Sequence, residues 1–287
     1  MPDVSGCFQL VSTLGSTGGR DVADLDARQG SLGSEETQRE DALIESAMPE
    51  TGSETEIRER RVQWRTLLRA HYAMVLAAVL LATFGVLTFL ALGLEPLAFD
   101  VPVTLGLQRM QWGWFEGLMV AVSVFGFWPW MIVVPIAAMA ILVALRVPKE
   151  AVWLGVAAIS AVASEAVKVV VQRPRPTSDL VSVAAELHTY SFPSGHVTSY
   201  VTFYGFIFYL AYTGLRRGWA RTVILVLSGM MVLLVGPSRV WLGQHWASDA
   251  LGGYALGFFM LLVLIQLHRA WATRAVRAEQ AQAAEAG

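Results

Sequence analysis

Two histidines and one carboxylate have the residue types and spacing for nucleophilic chemistry. His245 and Asp249 are four residues apart, so on a helix they would share a face, and the carboxylate could accept the Nδ1–H of the imidazole. That pairing leaves Nε2 with a free lone pair, as a nucleophile requires. His196 stands directly before a long apolar stretch and could protonate a leaving oxygen.

Three basic side chains in or near the same part of the chain are not matched by an equal number of nearby acidic residues. They are Lys168, Arg175 and Arg239. Ser194 and the backbone N–H of Gly195 come at the expected start of a helix, where unpaired amides and the helix dipole favour an anion. Such a set of cations and amides suits a multiply charged oxyanion, and phosphate is the obvious candidate.

Together, three stretches of the sequence resemble the signature of a known family. They are Lys-x6-Arg-Pro (168–176), Pro-Ser-Gly-His (193–196) and Ser-Arg-x5-His-x3-Asp (238–249). All three parts match the motif of the phosphatidic acid phosphatase type 2 superfamily, in order and residue for residue. That superfamily includes integral-membrane lipid phosphatases and, more distantly, vanadium haloperoxidases. The resemblance covers about residues 70–267.

The resemblance implies a phosphohydrolase that needs no metal and no other cofactor. His245, oriented by Asp249, would attack phosphorus in line and form a phosphohistidine. His196 would protonate the departing oxygen and then activate the water that hydrolyses the intermediate. The groups implied to hold the phosphoryl oxygens are Lys168, Arg175, Ser194, Gly195 and Arg239.

Four further residues are candidates for supporting roles. Glu165 precedes Lys168 by three residues, and we expect it to pair with that ammonium rather than act on substrate. Pro193 suits the first turn of a helix, and Ser238 belongs to the third motif. His188, in the loop before the second motif, is either a substrate contact or a solvated loop residue.

The composition indicates a membrane protein. Hydrophobic residues make up 55% of the 287 residues and charged residues 15%, whereas soluble domains carry about 25% charged residues. Residues 1–57 hold twelve Asp and Glu against three Arg and one aromatic residue, which predicts a disordered acidic tail. The expected organisation is this tail on the cytoplasmic side, a membrane domain over 58–277 and a short C-terminal tail over 278–287.

Six stretches have the length and composition of membrane spans. They are 71–93, 117–145, 151–171, 197–214, 221–237 and 247–267. The fold class is therefore predicted to be all-α, a six-span transmembrane helical bundle. We expect Pro129 to break the second stretch, with a short interfacial helix before the break. If both pieces crossed, the span count would be odd and the later motifs would change sides.

The basic residues predict the orientation in the membrane. With the N-terminus in the cytoplasm, 13 of the 18 Lys and Arg after position 57 lie on the inner side. This arrangement predicts a multi-pass protein of the plasma membrane with both termini in the cytoplasm. The three motifs would then face the periplasm or the exterior.

The expected partner is a lipid phosphate or diphosphate whose tail stays in the bilayer, and no nucleic acid. Polyprenyl diphosphate is favoured for a bacterial source, while phosphatidic acid, phosphatidylglycerol phosphate and diacylglycerol pyrophosphate remain open. The competing hypotheses are a non-catalytic lipid-phosphate binder or transporter, and a peroxidase that uses bound vanadate. The Gly-x3-Gly within 252–257 is explained by close helix packing and would also permit a homodimer.

Overall fold

The computed structural model describes residues 54–285, and this part of the chain is helical with no β-strand. The helices are α1 (Glu54–Ala91), α2 (Asp100–Gln108), α3 (Gly113–Val124), α4 (Trp130–Ala144), α5 (Pro148–Ala158), α6 (Ala161–Val171), α7 (Gly195–Gly214), α8 (Trp219–Trp241) and α9 (Ala247–Glu285). The all-α prediction is confirmed for the described residues.

The predicted tails differ from the observed helix ends. The acidic tail over 1–57 lies outside the described residues, apart from 54–57, which begin α1. Helix α9 continues to Glu285, so most of the predicted C-terminal tail is helical. Of the described residues, 77–285 belong to one compact unit and 54–76 to another, so α1 contributes to both.

Four stretches of the described chain are long and apolar enough to cross a membrane. They are His71–Ala91, Pro148–Val171, Trp219–Trp241 and Ala247–Gln282. They coincide with the first, third, fifth and sixth predicted spans. The stretch Pro148–Val171, which coincides with the third predicted span, consists of α5 and α6 with a short break between them. Their length and composition are those of a membrane protein.

The other two predicted spans take a different form. The second is divided into α3, with 12 residues, and α4, with 15 residues. The break predicted before Pro129 is therefore confirmed, but each piece is shorter than the ~20 residues that a span needs. The fourth corresponds to α7, which has 20 residues but carries several Thr, Ser and Tyr side chains that reduce its hydropathy.

Helix α7 is central to the unit and packs against α5, α6, α8 and α9. Val197, Val201 and Phe206 are completely buried on it. Its polar side chains find partners inside the protein, as when Tyr200 Oη donates to the Val122 carbonyl at 2.6 Å. A helix surrounded by other helices does not need the uniformly apolar surface of a lipid-facing one.

The packing around α7 brings four helix ends together. Lys168 lies in the last turn of α6, and Ser194 is the residue before α7. Arg239 lies in the last turn of α8, and Asp249 in the first turn of α9. Because the three motifs occupy these ends, the fold itself makes them neighbours.

Two glycines let α9 approach α7 closely. A Cβ at Gly253 would lie 2.8 Å from both the Ser194 carbonyl oxygen and Val197 Cβ. A Cβ at Gly257 would lie 2.8 Å from Val201 Cβ. Packing within the chain therefore explains this Gly-x3-Gly, and the explanation needs no dimer.

We predict that Gly253→Ala lowers stability by about 1–3 kcal/mol, because the added methyl group meets backbone that cannot yield without moving the start of α7. Thermal unfolding in detergent measures the effect. Gly117→Ala is the matched control, since nothing lies within 4 Å of a Cβ there. An unchanged melting temperature for Gly253→Ala would show that the two helices are not in tight contact.

Candidate active site

A cavity of about 300 Å³ lies where these helix ends meet. The predicted site residues that line it are Glu165, Lys168, Arg175, Gly195, His196, Arg239 and His245. They come from all three motifs, which are separated by up to 80 residues in the chain. The structure thus brings both histidines and all three cations to one cavity.

Lys168 reaches the cavity wall with a carboxylate beside it. Its Nζ is 2.7 Å from Glu165 Oε1, the i,i+3 pair that the spacing predicted. The side chain of Lys168 is 9% exposed, whereas that of Glu165 is 60% exposed. A carboxylate so open to its surroundings neutralises only part of the ammonium charge, so Lys168 remains available to an anion.

Arg175 is held by backbone carbonyls beside the candidate nucleophile. Nε donates to the Thr189 carbonyl at 2.7 Å and Nη1 to the Gln244 carbonyl at 2.5 Å. Nη1 also lies 3.2 Å from Nε2 of His245. Arginine can only donate, so Nε2 accepts and the proton of the neutral ring is on Nδ1. The lone pair of Nε2 therefore points toward the cation that lines the cavity.

Arg239 is completely buried and only partly satisfied. Nη1 donates to Ser123 Oγ, and Cζ lies 4.9 Å from the ring centre of Phe127. Nε and Nη2 have no hydrogen-bond partner among the described residues. A buried guanidinium with two free donors is costly unless an anion completes its bonding. This is the strongest indication that the cavity binds an anion.

His196 lies in the first turn of α7 and has two aromatic rings as neighbours. Its ring centre is 4.7 Å from that of Phe127 and 6.4 Å from that of Tyr200. Its Nε2 is buried and has no partner in the described part of the chain. Gly126, in the break between α3 and α4, makes room for the imidazole, since a Cβ there would overlap Cδ2 and Nε2.

The start of α7 presents its backbone beside Lys168. Ser194 is the N-cap residue, and its buried Oγ bonds none of the amides of the first turn. A Cβ at Gly195 would lie 3.5 Å from Lys168 Nζ. The side chain of Ser194 therefore does not compete with an anion for the N–H groups at this helix end.

His245 lies between α8 and α9 and is 1% exposed. Burial lowers the pKa of His245 well below its ordinary value, and the charges of Arg175 and Arg239 lower it further. Both causes disfavour the imidazolium. The ring is therefore held neutral, which is the form a nucleophile needs.

The predicted hydrogen bond between His245 and Asp249 is not formed in the structure. His245 Nδ1 is 3.6 Å from Asp249 Oδ2 and has no partner among the described residues. Oδ2 instead accepts the backbone N–H of Trp246 at 2.9 Å. The spacing of four residues was read as one helical turn, but α9 begins at Ala247, so His245 is not on that helix. The carboxylate nevertheless faces the imidazole.

Comparison with known proteins assigns this site to a family. Residues 150–272 match the model of the PAP2 superfamily, and this range contains all three motifs. These 123 of the 287 residues are similar to the PAP2 superfamily. The predicted resemblance to phosphatidic acid phosphatase type 2 proteins is thereby confirmed.

One curated protein and one solved structure are similar to this chain. Phosphatidylglycerophosphatase B of Bacillus subtilis is 33% identical over 95 residues, which are 33% of this chain and 45% of that protein. The crystal structure of the first transmembrane PAP2-type phosphatidylglycerolphosphate phosphatase from Bacillus subtilis matches with a TM-score of 0.56 at 20% identity. That match covers 67% of this chain and 96% of the other. The first match spans less than half of the relative's length, and the second shows a shared fold.

Three predicted supporting residues lie away from the PAP2 cavity. Pro193 is not in the first turn of α7, because that helix begins at Gly195. Ser238 is buried and donates to the Met119 carbonyl at 2.6 Å, which joins α8 to α3. His188 is exposed and does not line the cavity, which agrees with its reading as a solvated loop residue.

Two residues that shape the candidate site were not among the predicted site residues. Phe127 contacts both His196 and Arg239 and lies in a segment that was interpreted only as a helix break. Arg173 is completely buried and its Nη1 is 2.7 Å from Asp249 Oδ1. The signal for Arg173 was present in the sequence as a second arginine two positions before Arg175.

We predict that Arg239→Gln weakens the binding of orthovanadate, a phosphate mimic, at least about tenfold, because a hydrogen bond to a charged group contributes roughly 1.5–3 kcal/mol. Isothermal titration calorimetry in detergent measures the dissociation constant. Arg109→Gln is the control, since Arg109 is exposed and lies outside the cavity lining. Equal affinity for the Arg239 variant and the wild type would contradict an anion site at this guanidinium.

Proposed function

We propose that the protein is an integral-membrane lipid phosphatase that hydrolyses a lipid phosphate through a phosphohistidine on His245. The observation that carries this proposal is the cavity itself, which holds a neutral imidazole and the unpartnered donors of Arg239. A protein that only binds a lipid phosphate needs the cations. It does not need two imidazoles from separate helix ends, and this favours an enzyme over a binder or transporter.

In the first step the cavity takes up the phosphate group. Lys168, Arg175 and Arg239 would surround its oxygens, together with the amides of Gly195 and its neighbours at the start of α7. Arg175 Nη1 would shift its hydrogen bond from His245 Nε2 to a phosphate oxygen. That shift releases the Nε2 lone pair only when substrate is present. Preorganised donors of this kind stabilise charge that spreads over the equatorial oxygens in the transition state.

The second step forms a phosphoenzyme. Nε2 of His245 forms a bond to phosphorus while the bond from phosphorus to the lipid oxygen breaks. Burial and the charge of Arg239 lower the pKa of His196, and the bound phosphate offsets that charge so that His196 can carry a proton. His196 gives this proton to the lipid oxygen, and the dephosphorylated lipid leaves. The positive charge that appears on the His245 ring is directed toward Asp249, whose Oδ2 is 3.6 Å from Nδ1.

In the third step water hydrolyses the phosphohistidine. His196, now neutral, accepts a proton from the water as its oxygen attacks phosphorus, and the bond from phosphorus to Nε2 breaks. Inorganic phosphate leaves and both imidazoles return to their starting states. The charge on phosphate is balanced throughout by side chains of the chain, so we infer that the reaction needs no metal.

Several observations support a lipid as the substrate. The cavity is also lined by apolar side chains, which include Met131, Val134 and Phe203. These side chains suit an acyl chain, while the cations suit its head group. The names of the relatives favour phosphatidylglycerol phosphate as the first substrate to test. The positive-inside distribution of basic residues supports a site at the outer face of the plasma membrane.

A panel of lipid phosphates tests the proposal on purified protein. The panel comprises phosphatidylglycerol phosphate, phosphatidic acid, diacylglycerol pyrophosphate and polyprenyl diphosphate, assayed for released phosphate with and without EDTA. We expect hydrolysis that EDTA does not reduce. Lipid-phosphate binding without phosphate release would favour a binder or transporter, and halide oxidation with vanadate would favour a peroxidase.

We predict that His245→Ala lowers kcat on the order of 10³-fold or more and His196→Ala by roughly 10²–10⁴-fold, because one loses the nucleophile and the other the proton donor. Both variants should retain wild-type melting temperatures in detergent to within a few degrees. His71→Ala is the control, since His71 is an exposed residue of α1. Near-normal hydrolysis by His245→Ala would exclude this histidine as the nucleophile.

A further inference from the structure

A cluster of buried charged side chains lies next to His245. It is separate from the groups expected to hold the phosphate oxygens. It consists of Asp100 from α2, Arg173 from the loop after α6, and Asp249 from α9. All three side chains are 0% exposed, and Asp100 and Arg173 do not line the cavity. Burying two carboxylates with one guanidinium is costly, so stability alone is a weak reason for this arrangement.

The guanidinium of Arg173 joins the two carboxylates. Nη1 donates to Asp249 Oδ1 at 2.7 Å, and Nη2 donates to Asp100 Oδ2 at 2.9 Å. Ser248 connects the same groups, because its N–H donates to Asp100 Oδ1 and its Oγ donates to Asp100 Oδ2, both at 2.8 Å. Nη1 of Arg173 also donates to Ser248 Oγ at 2.7 Å.

These bonds determine how Asp249 faces His245. Arg173 holds Oδ1, and the backbone N–H of Trp246 holds Oδ2. With both oxygens fixed, the carboxylate cannot rotate, and Oδ2 stays on the side of His245 Nδ1. Asp100 in turn holds Arg173 and the backbone beside Asp249. The orientation of the carboxylate thus depends on a residue about 150 positions earlier in the chain.

The charges of the cluster support the same role. A guanidinium paired with Asp249 alone would neutralise much of the negative charge that an imidazolium at His245 needs. Asp100 shares the guanidinium, so Arg173 offsets less of the negative charge of Asp249 than it would in an isolated pair. That charge stands next to a ring that becomes positive when the phosphohistidine forms.

We propose that Asp100 and Arg173 are positioning residues that orient Asp249 and maintain its negative charge toward His245. The inference rests on the proposed function, and it adds α2, which carries none of the three motifs, to the elements on which catalysis depends. Neither residue touches substrate. Both act through Asp249.

A double-mutant cycle tests this inference, with phosphatidylglycerol phosphate labelled with phosphorus-32 as the substrate. We expect Asp100→Asn to lower kcat by about 10–100-fold, the range found when the outer partner of an oriented histidine is removed in metal sites, with KM changed less than about threefold. In the Asp249→Asn background, the same Asp100→Asn change should lower kcat by less than about threefold. If Asp100 acted only on the stability of the fold, Asp100→Asn would lower kcat by the same factor in the wild-type and Asp249→Asn backgrounds.

The matched control is Thr104→Val on the same helix. Thr104 is equally buried, and its hydroxyl donates to the backbone carbonyl of Asp100 at 2.8 Å and not to the carboxylate. We expect this variant to keep the wild-type kcat. Arg173→Lys retains the positive charge but loses the bidentate donor, so its kcat should lie between those of the wild type and Asp100→Asn.

The outcomes separate the inference from the proposed function. No hydrolysis by the wild type on any lipid of the panel would overturn the proposed function. Two results with an active wild type would overturn the inference alone. One is a kcat of Asp100→Asn within about threefold of the wild-type kcat. The other is an equal loss of kcat in the wild-type and Asp249→Asn backgrounds. If Asp100→Asn does not fold, Ser248→Ala decides, since it removes one hydroxyl of the cluster. An unchanged kcat for that variant would also overturn the inference.

Discussion

The site depends on positive charge that the protein does not neutralise. Arg239 is buried with two free donors, and Arg175 donates to the very nitrogen that the mechanism needs as a nucleophile. Burial, together with these cations, disfavours the charged form of His245, and the two unpartnered donors of Arg239 favour the binding of an anion. In the proposed mechanism, a phosphate group satisfies the free donors and draws Arg175 away from Nε2. Substrate binding would then also activate the nucleophile.

Tight helix packing is what keeps these charges from finding other partners. Helix α7 stands among four neighbours, and Gly253 lets α9 approach the carbonyl of Ser194. Gly126 similarly lets the α3–α4 break lie against His196, and the ring of Phe127 in that break contacts both His196 and Arg239. A looser bundle would admit water or side chains to the free donors of Arg239. Gly253 and Gly126 therefore contribute to the electrostatics of the site as well as to the helix packing.

Much of the site could be predicted because each motif is local. A cation at a helix end, Ser194 before α7 and a histidine near α9 can all be read from a few adjacent residues. The buried cluster could not be predicted, since Arg173 and Asp100 are 73 residues apart and only packing decides which carboxylate a buried arginine meets. The His245–Asp249 hydrogen bond was predicted wrongly because the spacing was read as helical across the start of α9. Hydropathy alone is a poor guide to helix α7, because a helix enclosed by other helices can carry hydroxyl groups that a lipid-facing helix would not carry.

The state of the His245 ring is the most direct measure of this account. Nitrogen-15 NMR of protein labelled at its five histidines, in detergent micelles and with a His245→Asn variant to assign the signal, reports both charge and tautomer. The account predicts that at about pH 6, below the ordinary histidine pKa of ~6.5, His245 is neutral and carries its proton on Nδ1. A charged His245 at that pH, or a neutral ring with its proton on Nε2, would contradict it.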